Sequence, residues 1–222
     1  MIRICAILLV LGLGASQAQA GAWPREKGTF FVSSDLRLSW PQDFSAQKPT
    51  GEYYGTYAEY GLSDRLTLGL DLGRSESGVG KTVAFLRLPL PGSTEQFKIA
   101  AELGLGRMDR APVLRPGLAL GRAFQWRDAY GWLALDTLAE IRIDSGRTDY
   151  KMDLTVGLTM PEGRKYMMQI QSGAPALYDP YVRIAPSVLF PLGKSRLLEI
   201  GASYGLEGDE TIGIKLGLWQ HF

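Results

Sequence analysis

The sequence predicts an all-β fold: a closed antiparallel transmembrane β-barrel of about twelve strands with both termini on the periplasmic side. Three observations point there. Apolar and polar residues alternate with period two from Thr29 to the end, without helical periodicity. The face opposite the apolar one carries charge in nearly every strand. Aromatic residues on the apolar face gather near strand ends.

In chain order, residues 1–20 read as an export signal. Arg3 supplies the positive start, Ile4 to Leu13 an apolar run, and Ala18-Gln19-Ala20 an A-x-A cleavage pattern that makes Gly21 the new N-terminus. That run is too short for a membrane-spanning helix, which needs about 20 residues. Cys5 lies within it and leaves with the signal, so no disulfide can brace the processed chain. A short periplasmic segment, residues 21–27, precedes a barrel over residues 28–222. The formal charge of the 222-residue chain is +1, and loss of Arg3 leaves it near neutral. Bulk charge therefore offers nothing to a nucleic acid or an acidic surface. No later segment is apolar for long enough to span a bilayer as a helix, so a membrane-embedded chain must cross with strands.

The strands fall at residues 28–40, 51–60, 64–73, 81–90, 96–106, 113–124, 129–143, 148–160, 164–171, 180–190, 196–205 and 210–222. Leu66, Leu68, Leu70 and Leu72 alternate with Thr67, Gly69, Asp71 and Gly73. Ile212, Ile214, Leu216 and Leu218 repeat the pattern against Gly213, Lys215, Gly217 and Trp219. Such runs match the roughly ten residues of a tilted membrane strand. The segment 164–171 is short, and 113–124 contains Pro116. Every second connection is tight, as at Leu62-Ser63-Asp64 and Trp126-Arg127-Asp128, while the others include Pro41 to Thr50. Short turns at one end and longer loops at the other match periplasmic and extracellular rims.

The charged face is assigned to the lumen. It comprises Asp35, Arg37, Glu59, Asp71, Lys81, Arg87, Lys98, Glu102, Arg115, Asp136, Glu140, Arg142, Lys151, Asp153, Arg183, Glu199 and Lys215. The signs are nearly balanced, so pairing can offset lost hydration. Trp40, Tyr54, Tyr150 and Tyr204 would form one aromatic girdle against outer-membrane lipid, and Tyr60, Phe97, Phe124, Tyr166, Phe190 and Phe222 the other. A soluble sandwich or lipocalin-like barrel would explain the alternation but neither the girdles nor the turn asymmetry.

The signal, the β-only body and the terminal Ile212-x-Ile214-x-Leu216-x-Leu218-x-Gln220-x-Phe222 resemble Gram-negative outer-membrane β-barrel proteins. The resemblance implies the cell outer membrane as location, the barrel assembly machinery as partner and Phe222 as the assembly signal. Gly21-Ala22-Trp23-Pro24-Arg25-Glu26-Lys27-Gly28, a Tyr/Gly-rich second strand and Gly61-Leu62-Ser63-Asp64 are similar to barrels of the MetA-pathway phenol-degradation type. That narrower resemblance covers about 50 residues and implies little chemistry.

Motifs that look catalytic lack their context. Gly78-Val79-Gly80-Lys81-Thr82 has Ser75 where a phosphate loop needs its first glycine, and a strand where it needs a helix. Gly201-Ala202-Ser203-Tyr204-Gly205 matches a nucleophile elbow, but no helix follows it and His221 is the single histidine. If Ser203 pairs near Gly213, eight residues at about 3.3 Å each put His221 roughly 26 Å away. The chain contains no Asn, which the outer-membrane phospholipase family uses beside Ser and His. Asp136 and Glu140 have the chemistry for acid–base work, but a balanced charge set favours ion pairs. No His/Cys cluster suits zinc, and neither metal nor cofactor is expected.

The expected function is a narrow pore or uptake channel for small-molecule solutes, apolar or aromatic ones among them. The alternative is a structural or interaction barrel with a charge-filled lumen. Inward Gly55, Gly69, Gly73, Gly104, Gly117 and Gly121 either leave a void or relieve crowding around large side chains. Tyr53, Tyr57, Phe85 and Trp132 offer an aromatic path. Trp23-Pro24 is placed to tuck into the periplasmic mouth as a stopper.

Overall fold

The computed structural model describes residues 21–76, 78 and 80–222; the export signal expected over residues 1–20 lies outside the described residues. The strands are β1 (Phe30–Pro41), β2 (Gly51–Ser63), β3 (Leu66–Ser75), β4 (Gly80–Pro89), β5 (Phe97–Met108), β6 (Ala111–Trp126), β7 (Ala129–Arg142), β8 (Thr148–Thr159), β9 (Lys165–Ala174), β10 (Tyr181–Pro191), β11 (Arg196–Glu207) and β12 (Thr211–His221). All twelve expected strands are present, including those at 113–124 and 164–171. Each is antiparallel to its chain neighbour, and β1 pairs with β12 to close the barrel. Phe30 and Phe222 exchange both backbone hydrogen bonds, at 3.0 and 2.8 Å, on the last rung. Closure removes the free edges that lipid would leave unpaired.

Prolines are accommodated at a local cost. The β6–β7 ladder runs Leu114↔Ile141 and then Gly117↔Leu138, skipping Pro116, which has no N–H to donate. Pro186 interrupts β10–β11 in the same way, between Ile184↔Tyr204 and Ser187↔Gly201.

The expected contrast between the two ends is weak. At the end holding Phe30 and Phe222, the connections cover residues 64–65, 90–96, 127–128, 160–164 and 192–195. The opposite end has 42–50, 76–79, 109–110, 143–147, 175–180 and 208–210. Strands β5 and β6 run further than the alternation suggested because Asp109 and Arg110 both take positive φ, 50° and 74°. That is the type I′ pattern, whose twist suits a two-residue hairpin. No Asn or Gly marks this turn, so it was not legible. The longest loop is fastened: the Gln42 side-chain amide donates to the Gly205 carbonyl at 2.7 Å.

The two faces separate cleanly. Leu68, Leu86, Leu88, Leu103, Leu105 and Leu118 are exposed on the outside, where a soluble barrel would place polar residues. Arg115 of β6 meets Asp71 of β3 at 2.5 Å, and Arg87 of β4 meets Glu59 of β2. Neither pair lies on neighbouring strands, so both contacts run through the interior. Tyr54, Tyr150 and Tyr204 are exposed at one rim, and Tyr60, Phe97, Phe124, Tyr166, Phe190 and Phe222 at the other. The apolar face therefore meets lipid and the charged face lines the lumen.

Candidate functional site

The lumen side of β2–β6 is built around one continuous ladder of alternating charge. It runs Arg25–Glu59–Arg87–Glu102–Arg115–Asp71–Lys81. Arg87 reaches Glu102 at 2.7 Å, Arg115 reaches Glu102 at 2.9 Å, and Lys81 reaches Asp71 at 2.7 Å. Tyr57 donates to Glu59 at 2.7 Å and accepts from Arg87 at 2.9 Å. The ring of Phe85 stacks on Tyr57 at 5.6 Å and lies between the guanidinium groups of Arg87 and Arg115, 5.1 and 5.3 Å from its centroid. Every carboxylate in the ladder meets two cations, which offsets desolvation where a lone buried charge would be costly.

Of the two readings of the inward glycines, crowding holds at each, and only Gly117 of the six also borders a lumen cavity. A Cβ on Gly69 would fall inside the Phe85 ring, and one on Gly73 on the Tyr53 phenol. Gly55 abuts the Asp35 carboxylate, Gly104 lies against Val83 and Arg115, and Gly117 against Leu138. Gly121 makes room for Trp23 and Ala22. Each position lacks a side chain because a neighbour's side chain occupies the space.

Along the rest of the lumen the charges pair locally. Asp35 pairs with Arg37 at 2.7 Å, Glu140 with Lys151 at 2.7 Å, and Glu199 with Lys215 at 2.8 Å. Glu199 also accepts from the Trp219 indole at 2.9 Å. Arg142 pairs with Asp149 at 2.8 Å, and Arg183 with Asp209 at 3.1 Å. Lys98, Asp136 and Asp153 have no ion-pair partner among the described residues. Asp136 and Asp153 stand directly opposite one another in the β7–β8 register.

Sequence reasoning missed four of these charged groups. Asp149 shares the inward phase of Lys151 and Asp153, so the alternation itself contained it. Lys165, buried at the start of β9 and bonded to Thr159 at 3.1 Å, lies similarly in phase. Arg25 lies ahead of the first strand and Asp209 in a turn, where no alternation assigns a face.

The remaining lumen space is shaped by residues 21–27, which enter the barrel. Ala22 packs against Ala100 and Ala119, with Trp23 alongside. Trp23 also packs against Trp132, Ala134, Met167, Leu189 and Leu197. Arg25 joins the ladder at Glu59, stacks over Phe31 at 4.4 Å, and donates its backbone N–H to Thr67 at 3.0 Å. The Gly61 Cα faces the carbonyls of Arg25 and Glu26, and the Gly28 N–H donates to Gly61 at 2.9 Å. A cavity of about 240 Å³ remains deeper in the lumen. Its walls include Gly21, Phe31, Tyr57, Asp136, Asp153 and Trp219. Trp132 and Phe85 are enclosed by packing rather than strung along an open path.

The nucleophile elbow is not assembled. Ser203 pairs with Gly213, and eight residues of β12 separate that position from His221.

No protein-family model matches the sequence, and no curated protein does. Solved structures do. The KdgM porin in complex with disordered oligogalacturonate superposes with a TM-score of 0.62 at 12% identity, covering 86% of this chain and 99% of that one. The NanC porin gives 0.62 at 7% identity, over 84% and 98%. The COG4313 outer membrane channel from Pseudomonas putida F1 gives 0.60 at 11% identity, over 92% and 99%. The fold is that of an outer-membrane porin barrel. Identity this low carries the architecture, which agrees with the apolar belt and the closed sheet.

Proposed function

We propose that the protein is a narrow outer-membrane channel for small molecules, held closed by its own N-terminal segment at the periplasmic mouth. The observation that carries this reading is the insertion of residues 21–27 beside a remaining lumen cavity of about 240 Å³. A purely structural barrel would gain nothing from leaving that space behind a removable segment. Acids and bases are interleaved along the lumen wall rather than gathered into a ring of one sign, so a strongly anionic or cationic chain is a poor cargo. Phe31, Tyr57 and Trp219 in the cavity wall favour a small neutral or aromatic solute.

The narrower resemblance to MetA-pathway phenol-degradation-type barrels belongs to this proposal. Its two sequence pieces, Gly21–Gly28 and Gly61–Asp64, meet in space through the Gly28–Gly61 hydrogen bond. The assembly role of Phe222 is likewise proposed; its ring is 71% exposed and lies 6.0 Å from that of Phe30. Phe222→Ala is expected to lower the yield of heat-modifiable barrel in the outer membrane.

The test is single-channel recording in planar bilayers of the refolded chain beginning at Gly21 and of one beginning at Gly28. The shorter chain should show steady conductance steps and the longer one brief or rare openings. Equal conductance would sink the stopper. Silence from both folded barrels would favour the charge-filled structural barrel.

A further inference from the structure

Most charged groups of the lumen wall are paired, and Asp136 and Asp153 are among the exceptions. In the ladder, four cations face three carboxylates, leaving one positive charge in excess. The pairs made by Asp35, Glu140, Asp149, Glu199 and Asp209 are neutral. Asp136 and Asp153 add two carboxyls without a cation of their own, at facing positions of β7 and β8. Like charges directly opposite across a ladder destabilise it. The cations near them, Arg87 and Lys151 among others, are committed to carboxylates of their own. No cation of the described residues pairs with either of these two carboxyls.

Gly21 is seated against one of them. A Cβ on Gly21 would fall inside the Asp136 carboxylate, so the Gly21 Cα lies against that group. The Nα atom is one bond from this Cα. Gly21 adopts φ +55°, the left-handed region that glycine enters without strain. In the precursor this nitrogen is an uncharged amide. Hydrolysis of the Ala20–Gly21 bond consumes one water, leaves a carboxylate on Ala20 and gives Gly21 an α-ammonium. That ammonium carries one positive charge and three N–H donors.

We propose that the Asp136–Asp153 pair is a binding site for a primary ammonium, filled in the processed protein by the α-ammonium of Gly21. Export processing thereby creates the group that latches residues 21–27 in the lumen. The proposal rests on the expected cleavage after Ala20. It does not require that the barrel conduct, so its failure can be told from failure of the channel reading.

The test is acylation of the α-amine by N-hydroxysuccinimidyl acetate at neutral pH, followed by mass spectrometry of the N-terminal peptide. The folded barrel beginning at Gly21 should label about tenfold or more slowly than the same chain in denaturant, as expected for an amine held in a charged hydrogen bond. Asp136→Asn should restore most of the lost rate. A chain beginning at Gln19 keeps every barrel residue, moves the amine two residues upstream, and should label as fast as the denatured chain. It serves as the second arm if Asp136→Asn fails to fold. Rapid labelling of the Gly21 amine in the folded barrel would overturn the proposal. Slow labelling unchanged by Asp136→Asn would also overturn it, because mere enclosure would then explain the protection. An exported protein whose mass places its N-terminus elsewhere than Gly21 would remove the premise and overturn it too.

Discussion

The two halves of the lumen wall are stabilised by different means. On β2–β6, charges from five strands and the N-terminal segment form one ladder, with Phe85 held between two arginines. On β7–β12 the ion pairs are isolated, and the largest inward patch is apolar: Trp132, Ala134, Met167, Leu189 and Leu197. Residues 21–27 use both halves. Arg25 enters the ladder and Trp23 enters the apolar patch. The first half thus acts as a fixed wall whose members depend on one another. The second meets the segment through apolar packing at Trp23 and through the Gly21 Cα against Asp136.

The largest expected effect breaks the first half. Arg87→Met leaves Glu59 and Glu102 each short of a cation, and removing one partner of a buried pair costs about 3–5 kcal/mol. Urea titration of the barrel in lipid vesicles, followed by tryptophan fluorescence, should show that loss; a shift under 1 kcal/mol would mean the ladder is not a mutually dependent unit. Trp23→Ala comes next and acts on the second half. Its ring is only partly buried, so the cost falls below the 3–5 kcal/mol of an enclosed aromatic, at about 2 kcal/mol, and falls on docking of the segment. Acrylamide quenching and channel open time should both rise towards those of the chain beginning at Gly28. Gly69→Ala should cost about 1–2 kcal/mol by driving Phe85 from its place between the arginines. Unchanged urea stability would mean that the ring moves freely and the ladder does not need it.

The fold was legible because a closed barrel constrains every residue to one of two faces. A single phase therefore assigned strands and lumen charges together, from Asp35 to Lys215. What the alternation could not give was contact across the lumen. Glu59 and Arg87 belong to strands that are not neighbours, and no local pattern relates their heights on the wall. The same limit left the glycines ambiguous between void and crowding, since the answer depends on side chains arriving from other strands. Arg25 was missed for a simpler reason: residues 21–27 form no strand, so period-two reasoning ended before the segment that fills the mouth. The Asp109–Arg110 hairpin was missed because its second positive φ falls on Arg110, where a type I′ turn ordinarily has Gly.

The smallest effect sharpens the contrast at the open rim. Arg37 pairs with Asp35 two residues away on β1, and its side chain is 44% exposed. Water competes for the guanidinium there, and a pair with one solvent-exposed partner approaches the roughly 0.2–1 kcal/mol of an exposed pair, at about 1 kcal/mol. Arg37→Gln should therefore shift the urea midpoint only slightly, and raising the salt from about 0.1 M to 1 M, which shortens the screening length from about 10 to 3 Å, should erase the shift. The Arg87→Met loss should survive the same salt, since ions do not enter a packed ladder. If both variants respond to salt alike, solvent and ions reach the β2–β6 charges as freely as the rim, and the fixed wall is instead part of an aqueous path.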